Sequence, residues 1–183
     1  MKGKLEYIIP IEQGVTCHLV GKTLTCKKGD AENTREINLP YTKIQVHNNN
    51  IVIVKDKGNK KDNARLKTYV AHIKNMMKGL SHKFTYELEI CFVHFPMTVK
   101  VEGKEVVIDN FLGEKKKRRA KILPNVKVEV NGNKIIVTSP DVESAGQTAT
   151  NLEKATLVKY KDRRIFQDGI FLTAKKGVAI WNL

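Results

Sequence analysis

The sequence predicts a mixed strand-and-helix chain built as two tandem copies of one unit. Three observations carry that prediction. Short alternating apolar runs separated by Gly and Asn turns fill most of each half, each half holds one helical stretch, and the punctuation recurs at a near-constant offset. The pair Gly21-Lys22 answers to Gly103-Lys104, Gly29 to Gly113, and IQVHNNNIVIVK to VEVNGNKIIVTS. The predicted units are residues 1–95 and 96–183.

In the first unit, residues 1–14 read as an extended lead-in, with Ile8, Ile9 and Ile11 around Pro10 as anchors. VTCHLV-GK-TLTCK is a hairpin with Gly at the turn, where positive φ is needed. Residues 29–36 read as a polar connection and 35–39 as a short strand. A second hairpin pairs 43–47 with 51–55 around Asn48-Asn49-Asn50. After the basic loop 57–61, Asp62 or Asn63 caps a helix whose apolar face is Leu66, Val70, Ile73 and Met77 and which Gly79 ends. Residues 84–92 form a closing strand, stopped at Pro96, which has no N–H for a central ladder.

The second unit repeats this order. Residues 97–108 form a hairpin around Gly103-Lys104, Asn110-Phe111-Leu112-Gly113 breaks the strand, and 127–138 form the next hairpin. Ser139-Pro140-Asp141 opens a helix with Pro in its first turn and an acid where the dipole favours one. Its apolar face is Ala145, Ala149, Leu152 and Thr156, and 166–172 close the unit.

The chain has 183 residues and a formal net charge of +14, split evenly between residues 1–95 and 96–183. A folded chain so basic points to a polyanionic partner. Three cysteines without CxxC spacing fit neither a disulfide framework nor a zinc site, so a reducing, intracellular compartment is expected. No apolar run approaches ~18 residues and none of signal-peptide length opens the chain, so no membrane span and no export are expected.

The strongest candidate for chemistry is Lys115, Lys116, Lys117, Arg118 and Arg119 with Lys121, a basic run on a short connection between strands. Cations presented this way release counterions on meeting phosphates, and the arginines add bidentate contacts. Read plainly, the run is a localisation signal or a solvated loop. Lys159, Lys161, Arg163 and Arg164 follow the second helix, where the dipole alone favours cations, and Lys175 and Lys176 follow the last strand. His18, His47, His72, His82 and His94 are scattered without ligand spacing and read as packing residues; no metal site and no cofactor are expected. No phosphate loop, nucleophile elbow or zincin pair is present, and no enzyme signature remains.

VHFPMTVKVEG, NFLGEKKKRR and KDRRIFQDGIF, with NMMKG closing the first helix, resemble the universal large-subunit ribosomal protein six family, in its archaeal and eukaryotic branch. The resemblance runs the length of the chain in order. It implies an α+β fold of two tandem duplicated domains, each a small, mostly antiparallel β-sheet packed against one α-helix. It also implies a structural role in the large ribosomal subunit, on the large rRNA near the sarcin–ricin loop and stalk base, with neighbouring ribosomal proteins as partners. Translational GTPases are implied as indirect partners, the second domain as the main rRNA contact, and the cytoplasm, on the ribosome, as the localisation. Carried onto this chain, the motifs mark Asn110, Gly113, Lys115, Arg118 and Arg119, and Asp162, Arg164, Asp168 and Gly169. No tryptophan stands at Lys55-Asp56-Lys57-Gly58, before the first helix, where the family often has a pair. Recognition of folded RNA by shape, phosphate and 2′-hydroxyl suits rigid basic loops. The alternative of another class is a free regulatory RNA- or DNA-binding module.

Overall fold

The computed structural model describes residues 3–29, 31–47 and 49–180. Asp30 in the polar connection and Asn48 in the second turn lie outside them. Two compact units emerge, Met1–His82 and Lys83–Leu183.

The first unit holds two three-stranded antiparallel sheets and one helix. Strands β2 (Thr16–Val20) and β3 (Thr23–Lys28) form the predicted hairpin, with Val20 opposite Thr23 and Gly21 at φ 62°. β4 (Ala31–Glu36) pairs along the whole of β3. This is the stretch read as a polar connection. AENTRE turns only Asn33 fully inward, and its Nδ2 donates to the Met76 carbonyl at 3.2 Å, so no apolar alternation marks it. β1 (Gly3–Pro10) is likewise a full strand rather than a lead-in, paired with β6 (Asn50–Gly58), which in turn pairs with β5 (Lys43–His47).

Helix α1 (Lys60–Ser81) packs on both sheets and buries Leu66, Ile73 and Met77, with Val70 partly covered. Its N-cap is Asn59, not Asp62 or Asn63. Asn59 accepts from the Asp62 amide at 2.9 Å, and Asp62 reaches back to the Asn59 amide at 3.0 Å, a reciprocal box at the helix start. The buried Lys55 ammonium joins Asp62 at 2.9 Å. The Asn59 amide bond and then Lys55 hold the Asp62 carboxyl below the usual carboxylate range. At the far end the helix runs through Gly79, which lies on the buried face, and adds Leu80 to the core before His82 ends it.

The second unit opens with β7 (Phe84–Cys91), the strand expected to close the first. β7 is the centre of a five-stranded sheet in the order β11-β12-β7-β13-β14. Its partners are β12 (Lys134–Ser139) and β13 (Gly169–Lys175), with Leu88 opposite both Ile135 and Leu172. The unit boundary therefore falls before residue 84, earlier than the expected 95/96. A strand directly after a helix pairs with whatever later strand completes its ladder, and sequence order alone does not say which. The second sheet comprises β8 (Thr98–Glu102), β9 (Glu105–Asp109) and β10 (Arg118–Lys121), joined at Gly103-Lys104 as predicted. β11 (Lys127–Asn131) completes the other predicted hairpin, and β14 is Val178–Ala179.

Helix α2 (Val142–Ala155) lies against β7, β10, β12 and β13. Ala145, Ala149 and Leu152 are buried as expected. Asp141 is the N-cap, accepting from the Glu143 and Ser144 amides, so Pro140 precedes the cap instead of sitting in the first turn. Thr156, also buried, accepts from the Ile170 amide at 2.9 Å and ties the helix end to β13. Mixed strands and helices, in a repeated order, match the fold class read from the sequence; each unit carries two small sheets.

Leu152 is wholly enclosed, so Leu152→Ala is expected to cost about 2–5 kcal/mol in urea unfolding, and Asp141→Ala about 1 kcal/mol.

Candidate nucleic-acid interface

The basic run is held out by a sharp local device. Phe111 is buried, and around it Asn110, Leu112 and Gly113 all take positive φ (58°, 50° and 78°). Asn110 Nδ2 donates to the Pro96 carbonyl at 2.9 Å. A Cβ on Gly113 would meet the Phe95 ring at 3.4 Å in a left-handed conformation that side chains rarely adopt. The chain then turns so that Glu114 faces Arg118.

Arg118 is the best-connected residue here. Its guanidinium grips Glu114 bidentately, with Nε–Oε2 at 2.8 Å and Nη2–Oε1 at 2.6 Å. Nη1 donates to the carbonyl of Ala155 at 2.9 Å, and the guanidinium carbon lies 4.2 Å from the Phe111 ring centroid. Its side chain is 28% exposed. The Arg118 hydrogen bonds hold the Glu114 carboxyl below its usual range. Arg118 thus joins the basic loop to the C-terminal end of α2.

That joint forms one wall of a groove of ≈ 720 Å³, lined by Lys116, Lys117, Arg119, Lys159 and Lys161 among others. Parts of two sequence-predicted clusters, residues 116–119 of the run and Lys159 and Lys161 after the second helix, therefore share one surface. Lys117 and Arg119 meet Asp109 and Glu105 at 3.3 and 3.0 Å, but these pairs are exposed and each is worth ~0–1 kcal/mol. Lys115, Lys116, Lys121 and Lys159 are exposed. Tyr160, between two lysines, is fully exposed at φ 58°. The sequence reading passed over it, though the interleaving Lys159-Tyr160-Lys161 was the available signal.

The other family motif forms a clamp. Asp162 accepts from the Arg164 amide at 2.9 Å and its carbonyl from Phe166, which folds the turn. The Arg163 and Arg164 side chains line the rim of a second, more apolar groove of ≈ 1010 Å³. Asp168 is only 2% exposed; it accepts from the amides of Val93 and His94 at 2.9 and 3.1 Å and meets His94 Nδ1 at 2.6 Å. Burial pushes the Asp168 carboxyl up, but the bonds from His94 and the two amides outweigh it and leave the group below its ordinary value. His94 also stacks on Phe166 with centroids 4.8 Å apart, so it does pack, but in a paired cluster that sequence spacing did not reveal. Gly169 opens β13, where a Cβ would approach the Phe171 ring to 3.2 Å. Lys175 and Lys176 lie at the opposite end of β13, opposite and beyond Tyr86, about 20 Å from Gly169 at strand rise. The groove does not include them.

Among the described residues, no group of three or more His, Cys, Asp and Glu could hold a metal ion, and no helix is long and apolar enough to cross a membrane.

Two duplicated α+β units, the second of which displays cations from a pinned strand and turns, fit a structural protein. Comparison with known sequences agrees. The family described as Ribosomal protein L6 matches residues 95–169. The chain is 42% identical to the large ribosomal subunit protein uL6 of Methanocella arvoryzae, covering 91% of this chain and 95% of that one. Identity to the uL6 proteins of Methanosphaera stadtmanae and Methanosarcina mazei is 46% and 44%, over 92% and 96% of this chain and 92% and 99% of theirs. The chain belongs to the ribosomal protein L6 family, the structural, non-enzymatic uL6 proteins of the large ribosomal subunit.

The depressed Asp168 value fixes a sign. Its stabilisation is complete above the unfolded carboxylate pKa of about 3.9 and is lost as pH falls through the lower folded value. Thermal melts should therefore lose stability at acid pH, and Asp168→Asn should flatten that dependence while lowering neutral-pH stability by roughly 1–3 kcal/mol. Arg118→Lys, which cannot restore the bidentate grip, should lower the melting temperature measurably, whereas Lys116→Gln should not.

Proposed function

We propose that the second unit, residues 96–183 with β7, is the main rRNA-binding half and that its exposed cations hold the chain to large-subunit rRNA. Lys115, Lys116, Lys117, Arg119, Lys121, Lys159, Lys161, Arg163 and Arg164 serve as phosphate contacts. Arg118, Asn110, Gly113, Asp162, Asp168 and Gly169 are positioning residues, since their polar groups or backbone conformations are already committed within the fold. Lys175 and Lys176 make a separate contact at the far end of the sheet. The observation that supports this most directly is the groove in which two basic clusters, distant in sequence, share one surface. The exposed Lys117–Asp109 and Arg119–Glu105 pairs exchange readily for phosphate, because little is lost in opening them.

The place on the subunit is read from the family resemblance: the rRNA near the sarcin–ricin loop and the stalk base. Neighbouring ribosomal proteins share that region, and translational GTPases depend on it indirectly. The compartment is the cytoplasm, on the large subunit.

A sucrose gradient of lysate washed at moderately high salt tests the role: the protein should remain with large subunits. A chain that runs free at the top belongs instead to a separate nucleic-acid binder. The double substitution Lys115→Glu/Lys116→Glu should reduce incorporation and lower the log–log salt slope of rRNA binding by about 2. Hydroxyl-radical footprints on subunits with and without the protein should differ in the sarcin–ricin stem.

A further inference from the structure

The structure assigns Tyr160 to a nucleobase: we infer that an unpaired base of the bound rRNA stacks on its ring at the mouth of the basic groove. The inference rests on the rRNA-binding reading above and adds a ligand group that cations alone do not supply. Four observations converge on it. Tyr160 is the most exposed large hydrophobic side chain of the described residues, at 103% of its reference area, whereas the other described aromatics of this unit are at least half covered. It lines the same groove as Lys116, Lys117 and Arg119. It stands between Lys159 and Lys161, so a polyanion drawn to those ammoniums passes over its ring. Its φ of 58° is a left-handed conformation that a bulky residue rarely adopts, and the segment that follows is fixed by the Asp162 turn and by the Lys161 ammonium 4.3 Å from the Phe166 ring centroid. Tyr41 is also bare at a positive φ; what sets Tyr160 apart is that its ring shares a groove with cations.

The cations that share its groove, Lys116, Lys117, Arg119, Lys159 and Lys161, favour RNA over an apolar protein surface. Folded RNA offers unpaired bases from loops and bulges, and these stack on aromatic side chains without need of a specific edge contact. Lys159 and Lys161 then neutralise the flanking phosphates. The ring keeps the base, and the lysines keep the backbone.

The test uses the full-length chain and a transcript of the source organism's large-subunit rRNA in filter binding across a salt series, with melting temperatures to confirm that each variant is folded. Tyr160→Phe should bind like the parent. Tyr160→Ala and Tyr160→Leu should both bind roughly 5- to 100-fold more weakly, with the parent's salt slope, because a stacked base rather than an ion pair is lost. Ultraviolet irradiation of intact large subunits followed by peptide mass spectrometry should place a nucleotide adduct on Tyr160. Parent affinity in Tyr160→Ala overturns the stacking assignment while leaving phosphate binding intact. Parent RNA affinity combined with poor incorporation into subunits also overturns it, in favour of a protein contact. Failure of the parent chain itself to bind the transcript overturns the underlying rRNA reading instead.

Discussion

The guanidinium of Arg118 is the constraint on which the basic face depends. A loop of consecutive lysines repels itself and has no reason to keep one shape. Here the loop is pinned to the fold where β10 begins, so Arg118 and Arg119 lie in a strand and not on the connection the sequence suggested. Arg118 satisfies both oxygens of Glu114, caps a carbonyl at the exit of α2 and covers the Phe111 ring. Without it the exit of α2 keeps an orphan carbonyl and Glu114 loses its partner. One cation is thereby withdrawn from solvent so that its neighbours can be presented in a fixed arrangement. The residue types in GEKKKRR look equivalent by charge, but they divide into one that builds and several that face outward.

Asp168 does comparable work for the second motif. It gathers two backbone amides and one imidazole from the segment just after β7, and so fixes where that segment leaves the sheet. An acid in an otherwise basic region looks out of place for polyanion binding, and its burial explains why it is tolerated: its charge is met by three donors and is hidden from any ligand.

Much of the fold was legible. The two Gly-Lys hairpins, the two hairpins with Asn-rich turns and both helices follow from alternation, turn residues and helical spacing, all of which are local. β4 was not legible, because an edge strand with a single inward position, filled by Asn33, carries no apolar pattern. β7 was visible as a strand but was assigned to the wrong neighbours, since pairing with β12 and β13 is a long-range fact. The site divided along the same line. Exposed cations are visible from composition and loop position. Arg118's role depends on a main-chain carbonyl, which has no sequence signature. The interleaving of Tyr160 with Lys159 and Lys161 hinted at its place, but the left-handed backbone there has no sequence signature.

The central place of β7 bears on synthesis. The first unit is complete in sequence by residue 82 and can close as soon as its helix has left the ribosome that is making it. The second cannot. β7 emerges at the start of the unit, yet the ladder on one of its edges comes only with β13, after the second hairpin and α2. During that interval one edge of an apolar strand stands open, and nascent chains in that condition are the ones that pair wrongly or recruit chaperones. The order in which the chain is written therefore gives this small protein an early half that can fold first and a late half that must be kept from its neighbours until β13 arrives.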